Sequence, residues 1–237
     1  MSKPIKVLFV TTSHDTLGET TEKTGLWLDE LAAPYFIFKE AGAHIVIASP
    51  KGGPVPIDPK SESIISVTRN SKRFRNDIEA MNHLSRSLPL RDIREENFDV
   101  LFVAGGHGAM WDLAANPLLK QLLDNFLTKG KPVGAVCHGV AALLPLQDAS
   151  GQPWVKGKQV TAFSNSEEES AGMTKLLPFL LETQLTSLGA AYSKGTNYTK
   201  YVATEGNLVT GQNPASAEEA AKMTLGLIRP TYSTIKK

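Results

Sequence analysis

Cys137 and His138 stand side by side in "PVGAVCHGVAALL" (132–144), and no other cysteine occurs in the 237 residues. A thiol next to an imidazole can act as a nucleophile with its base. Two other stretches carry groups of catalytic type. "AGGHGAMWD" (104–112) holds Gly105 and Gly106 followed by His107, and "SNSEEES" (164–170) sets Glu167, Glu168 and Glu169 in a row. Glu30 lies among apolar residues in "GLWLDELAAPYFIFKEAG" (25–42).

Such groups need a scaffold, and the apolar periodicity describes one. "IKVLFVTTS" (5–13), "HIVIASP" (44–50), "DVLFVAGG" (99–106) and "PVGAVC" (132–137) are unbroken apolar runs. Strands that read this way are buried on both faces of a parallel sheet. Between them, 25–42 and 116–130 repeat apolar residues at helical spacing, and 213–228 closes the chain as a helix. Pro34 should kink or shorten the first of these. "KQVTAF" (158–163), "YVATE" (201–205) and "NLVTG" (207–211) are further strands, the last two joined by a turn at Gly206–Asn207. Strands alternating with helices give one doubly wound α/β domain over 1–237. The stretch 51–98 breaks the pattern with prolines and then charge, and is expected to be an insertion or lid over one end of the sheet.

On that scaffold Cys137 falls at a tight strand-to-helix turn, the geometry of a nucleophile elbow. A lone buried cysteine is more often a small core residue; the elbow and the adjacent His138 favour chemistry. The helix N-terminus should favour the thiolate. The backbone N–H groups of His138 and Gly106 could form an oxyanion hole. His107 is a candidate for substrate binding or a polar loop residue. One of Glu167, Glu168 and Glu169 can orient His138 as a triad acid does, although acids are common in a first helical turn for dipole reasons alone. Spacing alone makes Glu30 solvent-facing.

Composition narrows the partners. A formal net charge of +1 gives no electrostatic reason to bind nucleic acid or a membrane surface. No apolar run approaches the roughly 18 residues of a membrane span. The N-terminus reads as a first strand and not as a signal peptide. One cysteine permits no internal disulfide, in keeping with a cytoplasmic location. No H-x-x-x-H or C-x-x-C spacing marks a metal site, and no phosphate-cradling glycine loop marks a nucleotide cofactor. The expectation is therefore no metal and no cofactor.

"AVCHG" on an elbow, the upstream "GGHG", "TGLWLDELAAPYFIF", "VTAFSNSEEE" and "LVTGQNPAS" together resemble the ThiJ/PfpI superfamily, over nearly the whole chain. More narrowly, they are similar to its heat-shock chaperone and glyoxalase III branch, often labelled class I glutamine amidotransferase-like. The resemblance implies a flavodoxin-like three-layer α/β sandwich with a mostly parallel central sheet, and a homodimer. It implies that Cys137 is the reactive thiol, His138 its partner, Glu30 a carboxyl touching that thiol and Gly106 an oxyanion donor. Glu168 aligns best as the triad acid, with Glu167 and Glu169 still open.

The amidotransferase label fails as an activity. Glutamine hydrolysis in that related family needs a histidine well downstream of the cysteine, and none follows His138. The resemblance instead implies cofactor-free conversion of methylglyoxal and related 2-oxoaldehydes to 2-hydroxy acids through a Cys137 hemithioacetal. Glu30 or His138 would move the proton. The alternatives are a holdase chaperone, a protein deglycase or a redox sensor using the same cysteine, and then a cysteine peptidase.

Overall fold

The apolar runs form strands, each shorter than the run that contains it. In chain order the elements are β1 (Lys6–Val10), α1 (Leu28–Glu40), β2 (His44–Ser49), α2 (Arg69–Asn76), α3 (Ile78–Ser85), β3 (Leu88–Pro89), β4 (Val100–Val103), α4 (Ala109–Asp112) and α5 (Pro117–Thr128). There follow β5 (Val133–Val136), β6 (Gln159–Val160), α6 (Asn165–Ser170), α7 (Leu181–Ser187), β7 (Ala191–Tyr192), β8 (Val202–Glu205), β9 (Leu208–Gly211) and α8 (Ala217–Gly226). The computed structural model describes residues 3–228, so the outermost parts of the expected 1–237 domain, 1–2 and 229–237, lie outside the described residues.

Seven strands form one sheet in the order β3-β2-β1-β4-β5-β9-β8, parallel except for β8, which runs antiparallel to β9. The sheet separates two cores. Alternate β1 residues serve each: Val7 and Phe9 join α1 and α8 on one face, while Leu8 and Val10 join α5 on the other. This three-layer α/β sandwich is the expected class. On the α1 side Phe9, Phe38 and Phe102 meet at centroid distances of 5.6 to 6.2 Å, within the range of favourable ring packing.

Local detail departs from the sequence reading in places. Helix α1 begins at Leu28, three residues inside the expected span, and continues through Pro34 to Glu40; contacts with β2, α2 and α8 hold it. The segment after the elbow, Cys137–Leu143, is a 3₁₀ helix and not an α-helix. The strand expected at 158–163 is only the two residues of β6, which pairs with β7 outside the main sheet. The 51–98 stretch is woven in: β3 forms the sheet's edge beside β2, and α2 packs on α1.

Reading outward from β1, successive strands go one way to β2 and β3, while β4 and β5 lie on the other side. At such a reversal, loops leaving the carboxyl ends of neighbouring strands diverge and leave a crevice. The loops after β4 and β5 carry Gly105–His107 and Cys137–His138 to that end.

Candidate active site

Cys137 leaves β5 with φ +55°, a left-handed conformation that costs a non-glycine residue about 1–3 kcal/mol. The turn directs the side chain off the sheet edge, as an elbow should. Its Sγ lies 3.2 Å from His138 Nδ1. His138 Nε2 lies 2.5 Å from Glu168 Oε1, and His107 Nε2 lies 3.2 Å from Glu168 Oε2. Phe163 packs over the His138 ring at 4.8 Å between centroids.

The row of three glutamates is resolved by helix geometry. α6 begins at the Ser164 cap, whose backbone N–H and hydroxyl both reach the Glu167 carboxylate. Glu167 also accepts from Gln212 Nε2, Asn213 Nδ2 and the Tyr198 N–H. It is fully engaged in tying α6 to the loop after β9. Glu169 points to solvent. Glu168 is the one brought to the histidines.

Glu30 is fully buried, contrary to the solvent-facing reading from spacing. Helix α1 is covered on nearly every side from Leu28 to Phe36, so its polar residues have no wet face to occupy. Glu30 Oε2 accepts the Gly105 N–H at 2.9 Å, and its Oε1 has no hydrogen-bond partner. Burial pushes its pKa up from 4.5 to about 8, although the neighbouring Cys137 thiol and the Gly105 N–H pull the other way. Gly105 is required here: a Cβ would sit 2.7 Å from Glu30 Oε2 and from two backbone atoms.

The same environment corrects the expectation of a free thiolate. Burial, and then the Glu30 carboxyl, push the Cys137 thiol well above its usual value; the His138 N–H favours the anion but is outweighed. Burial, and then His107, hold His138 below its usual value. Burial opposes ionisation of Glu168, but the two imidazoles outweigh it and keep its carboxyl at about 2. With its proton on Nε2, a neutral His138 donates to the ionised Glu168 and turns the Nδ1 lone pair toward the thiol. That tautomer would permit proton transfer from the thiol coupled to attack.

Gly106 has φ +100°, and a Cβ there would lie 2.3 Å from Gly25 O and Trp27 N. This close approach, with the Trp27 N–H donating to Gly105 O, locks the β4 loop against the start of α1. Gly106, His107, Cys137, His138 and Glu30 all line one cavity of about 490 Å³. Lys60, Ser63, Ile65 and Ser66 from the 51–98 stretch line it too.

Spacing gave no metal motif, yet the fold brings ligand atoms of His107, His138 and Glu168 within 4.8 Å of one another. Such a set could hold a metal ion. Each Glu168 oxygen is already engaged by an imidazole, so an ion would have to displace both contacts. Sequence reasoning named Gly105 only as one of a glycine pair and missed its N–H on Glu30, the packing of Phe163 and the Glu167 network. "GQN" (211–213) was the available signal for the last, since two side-chain amides after a buried strand must find partners.

A family model described as the DJ-1/PfpI family matches residues 24–226. A glutathione-independent glyoxalase of Schizosaccharomyces pombe is 31% identical over 234 residues, covering 94% of this chain and 95% of that protein. The crystal structure of glyoxalase III from Candida albicans superposes with a TM-score of 0.85 at 28% identity, covering 94% of this chain and 97% of that one. The Rapid Encystment Protein 24 kDa of Francisella tularensis superposes at 0.90 with 40% identity, covering 94% and 99%.

Proposed function

The chain belongs to the DJ-1/PfpI family, and on that premise we propose that it is a cofactor-independent glyoxalase, a lyase-type enzyme turning methylglyoxal and water into lactate without glutathione. The observation that carries this reading is that one thiol meets two separate proton-handling groups: His138 with Glu168 behind it, and Glu30 with its raised pKa. Acyl transfer by a peptidase needs only the first. An internal redox isomerisation needs a second base to move a carbon-bound proton. A holdase would need neither, because it works through exposed apolar surface.

Cys137 Sγ bonds to the aldehyde carbon as its proton passes to His138 Nδ1, and His138 then protonates the alkoxide to give a hemithioacetal. N–H groups of Gly106 and His138 serve the developing oxyanions. Glu30, as carboxylate, takes the proton from that same carbon. The electron pair forms an enediol with the neighbouring ketone carbon, whose oxygen gains the proton leaving the first oxygen. Glu30 returns its proton to the second carbon. The aldehyde carbon is now oxidised to a thioester and the ketone carbon reduced to a carbinol. Water, deprotonated by His138, attacks the thioester; the C–S bond breaks and sulfur recovers its proton. A carboxyl with a pKa of about 8 is a better base than an ordinary one, which suits it to this step. The 51–98 stretch acts as the lid over this chemistry through its cavity-lining residues.

The test is glutathione-free conversion of methylglyoxal by the purified protein in D₂O. The reading predicts lactate, with solvent deuterium at C2 only to the extent that the proton held by buried Glu30 exchanges before it is returned. No lactate from the wild type, or lactate from Glu30→Gln at the wild-type rate, overturns it.

A further inference from the structure

The cavity is far larger than methylglyoxal requires. Sites of roughly 300–1,000 Å³ house drug-sized ligands, and this one is about 490 Å³. Methylglyoxal has five heavy atoms and fills only a few water volumes of about 30 Å³ each. The reacting groups occupy the buried floor. Apart from Lys60, Ser63 and Ser66, the remaining walls are apolar or aromatic, among them Trp27, Phe163, Met173 and Tyr198. Burial grades outward from Cys137 (3% exposed) through Phe163 and Met173 to Tyr198 (49%) and Ile65 (96%) at the mouth. Charge along this path is slight. Lys60 is the lysine on the lining, and its Nζ rests 3.8 Å from Met173 Sδ and 3.9 Å from Glu22 Oε2. It is already faced by an acid and offers no dedicated site for a substrate carboxylate.

We infer that the cavity is shaped for 2-oxoaldehydes bearing an apolar branched or aryl group of about four carbons or more, in preference to methylglyoxal and to hydroxylated 2-oxoaldehydes of similar bulk. This rests on the glyoxalase reading. With the aldehyde carbon at Cys137 Sγ, the side chain of such a substrate extends from the floor along Phe163 and Met173. Methylglyoxal leaves those walls wet. Hydroxyl groups placed there would lose water and gain few partners. One methylene in an apolar pocket discriminates by about 10–200-fold, so several carbons should reach at least the lower end. Conversion of the larger aldehyde is the same balanced isomerisation plus hydrolysis and needs no further reactant.

The test compares kcat/KM for methylglyoxal, isobutylglyoxal, phenylglyoxal and 3-deoxyglucosone, a six-carbon trihydroxylated 2-oxoaldehyde, in the wild type and in Ala171→Trp. Ala171 is exposed and lines the cavity, so the indole fills it from the rim. Isobutylglyoxal and phenylglyoxal are expected to exceed methylglyoxal by at least tenfold and 3-deoxyglucosone not to exceed it. The isobutyl-to-methyl ratio should fall toward one in Ala171→Trp. A preference below tenfold, a preferred 3-deoxyglucosone, or a ratio unmoved by Ala171→Trp overturns the inference while leaving the glyoxalase reading intact. Failure to turn over any aldehyde, methylglyoxal included, removes that reading and this inference with it.

Discussion

Replacing Glu30 by Gln should make the protein more stable in alkali while disabling it. The carboxyl sits fully buried on α1, and burial raises its pKa from an ordinary 4.5 to about 8. A carboxyl whose folded value exceeds its unfolded one holds its proton more tightly in the native state. Its full contribution is present below about pH 4.5 and is lost as pH rises through about 8. Each tenfold change in proton affinity corresponds to about 1.4 kcal/mol, so the loss is on the order of 4 kcal/mol by pH 9. That is a large share of the about 5–15 kcal/mol that holds a typical domain folded. Gln keeps the shape, its carbonyl can still accept the Gly105 N–H, and it does not ionise. Guanidinium unfolding followed by circular dichroism at pH 5, 7 and 9 reads this out. The wild type should lose several kcal/mol across the series relative to Glu30→Gln, and the variant should be the more stable protein at pH 9. Stability curves that run parallel for the two proteins would refute the burial argument.

Three other outcomes follow from the same geometry. Wild-type kcat/KM for methylglyoxal should climb with pH through about 8, as Glu30 becomes the carboxylate base; a flat profile from pH 6 to 9 contradicts that role, and Glu30→Gln should lose about 10²–10⁴-fold in kcat. In Glu168→Gln the amide can donate to His138 Nε2 and turn the Nδ1 proton toward the thiol, so steady-state kinetics should show kcat down by about 10³–10⁴-fold with KM little changed. Gly106→Ala forces a Cβ to within 2.3 Å of Gly25 O at φ +100°, and urea titration should show a loss of about 3 kcal/mol or more.

What could be read from the sequence, and what could not, divides along physical lines. β1, β2, β4 and β5 are buried on both faces, so their apolar runs show them directly, and the elbow follows from a small-residue strand ending at Cys137. Glu30 was hidden because periodicity assumes that a helix keeps one wet face. From Leu28 to Phe36 α1 has none, being packed against β2, α2 and α8. Three adjacent glutamates could not be ranked by spacing. Their roles depend on a cap at Ser164 and on Gln212 and Asn213, more than forty residues further on. The thiol's proton affinity was misjudged for a related reason: a helix N-terminus can be seen in sequence, whereas the desolvation that outweighs it comes from the assembled cavity. The two-residue strands β3, β6 and β7 are too short to carry a periodic signal.

The central claim is that Cys137 forms the bond through which the aldehyde is converted. Purified wild type and Cys137→Ala, each checked by circular dichroism for the same fold, should be given methylglyoxal without any added thiol and assayed for lactate. The account predicts steady lactate formation by the wild type and none above the uncatalysed background by the variant. Lactate released by the alanine variant at the wild-type rate would contradict it outright.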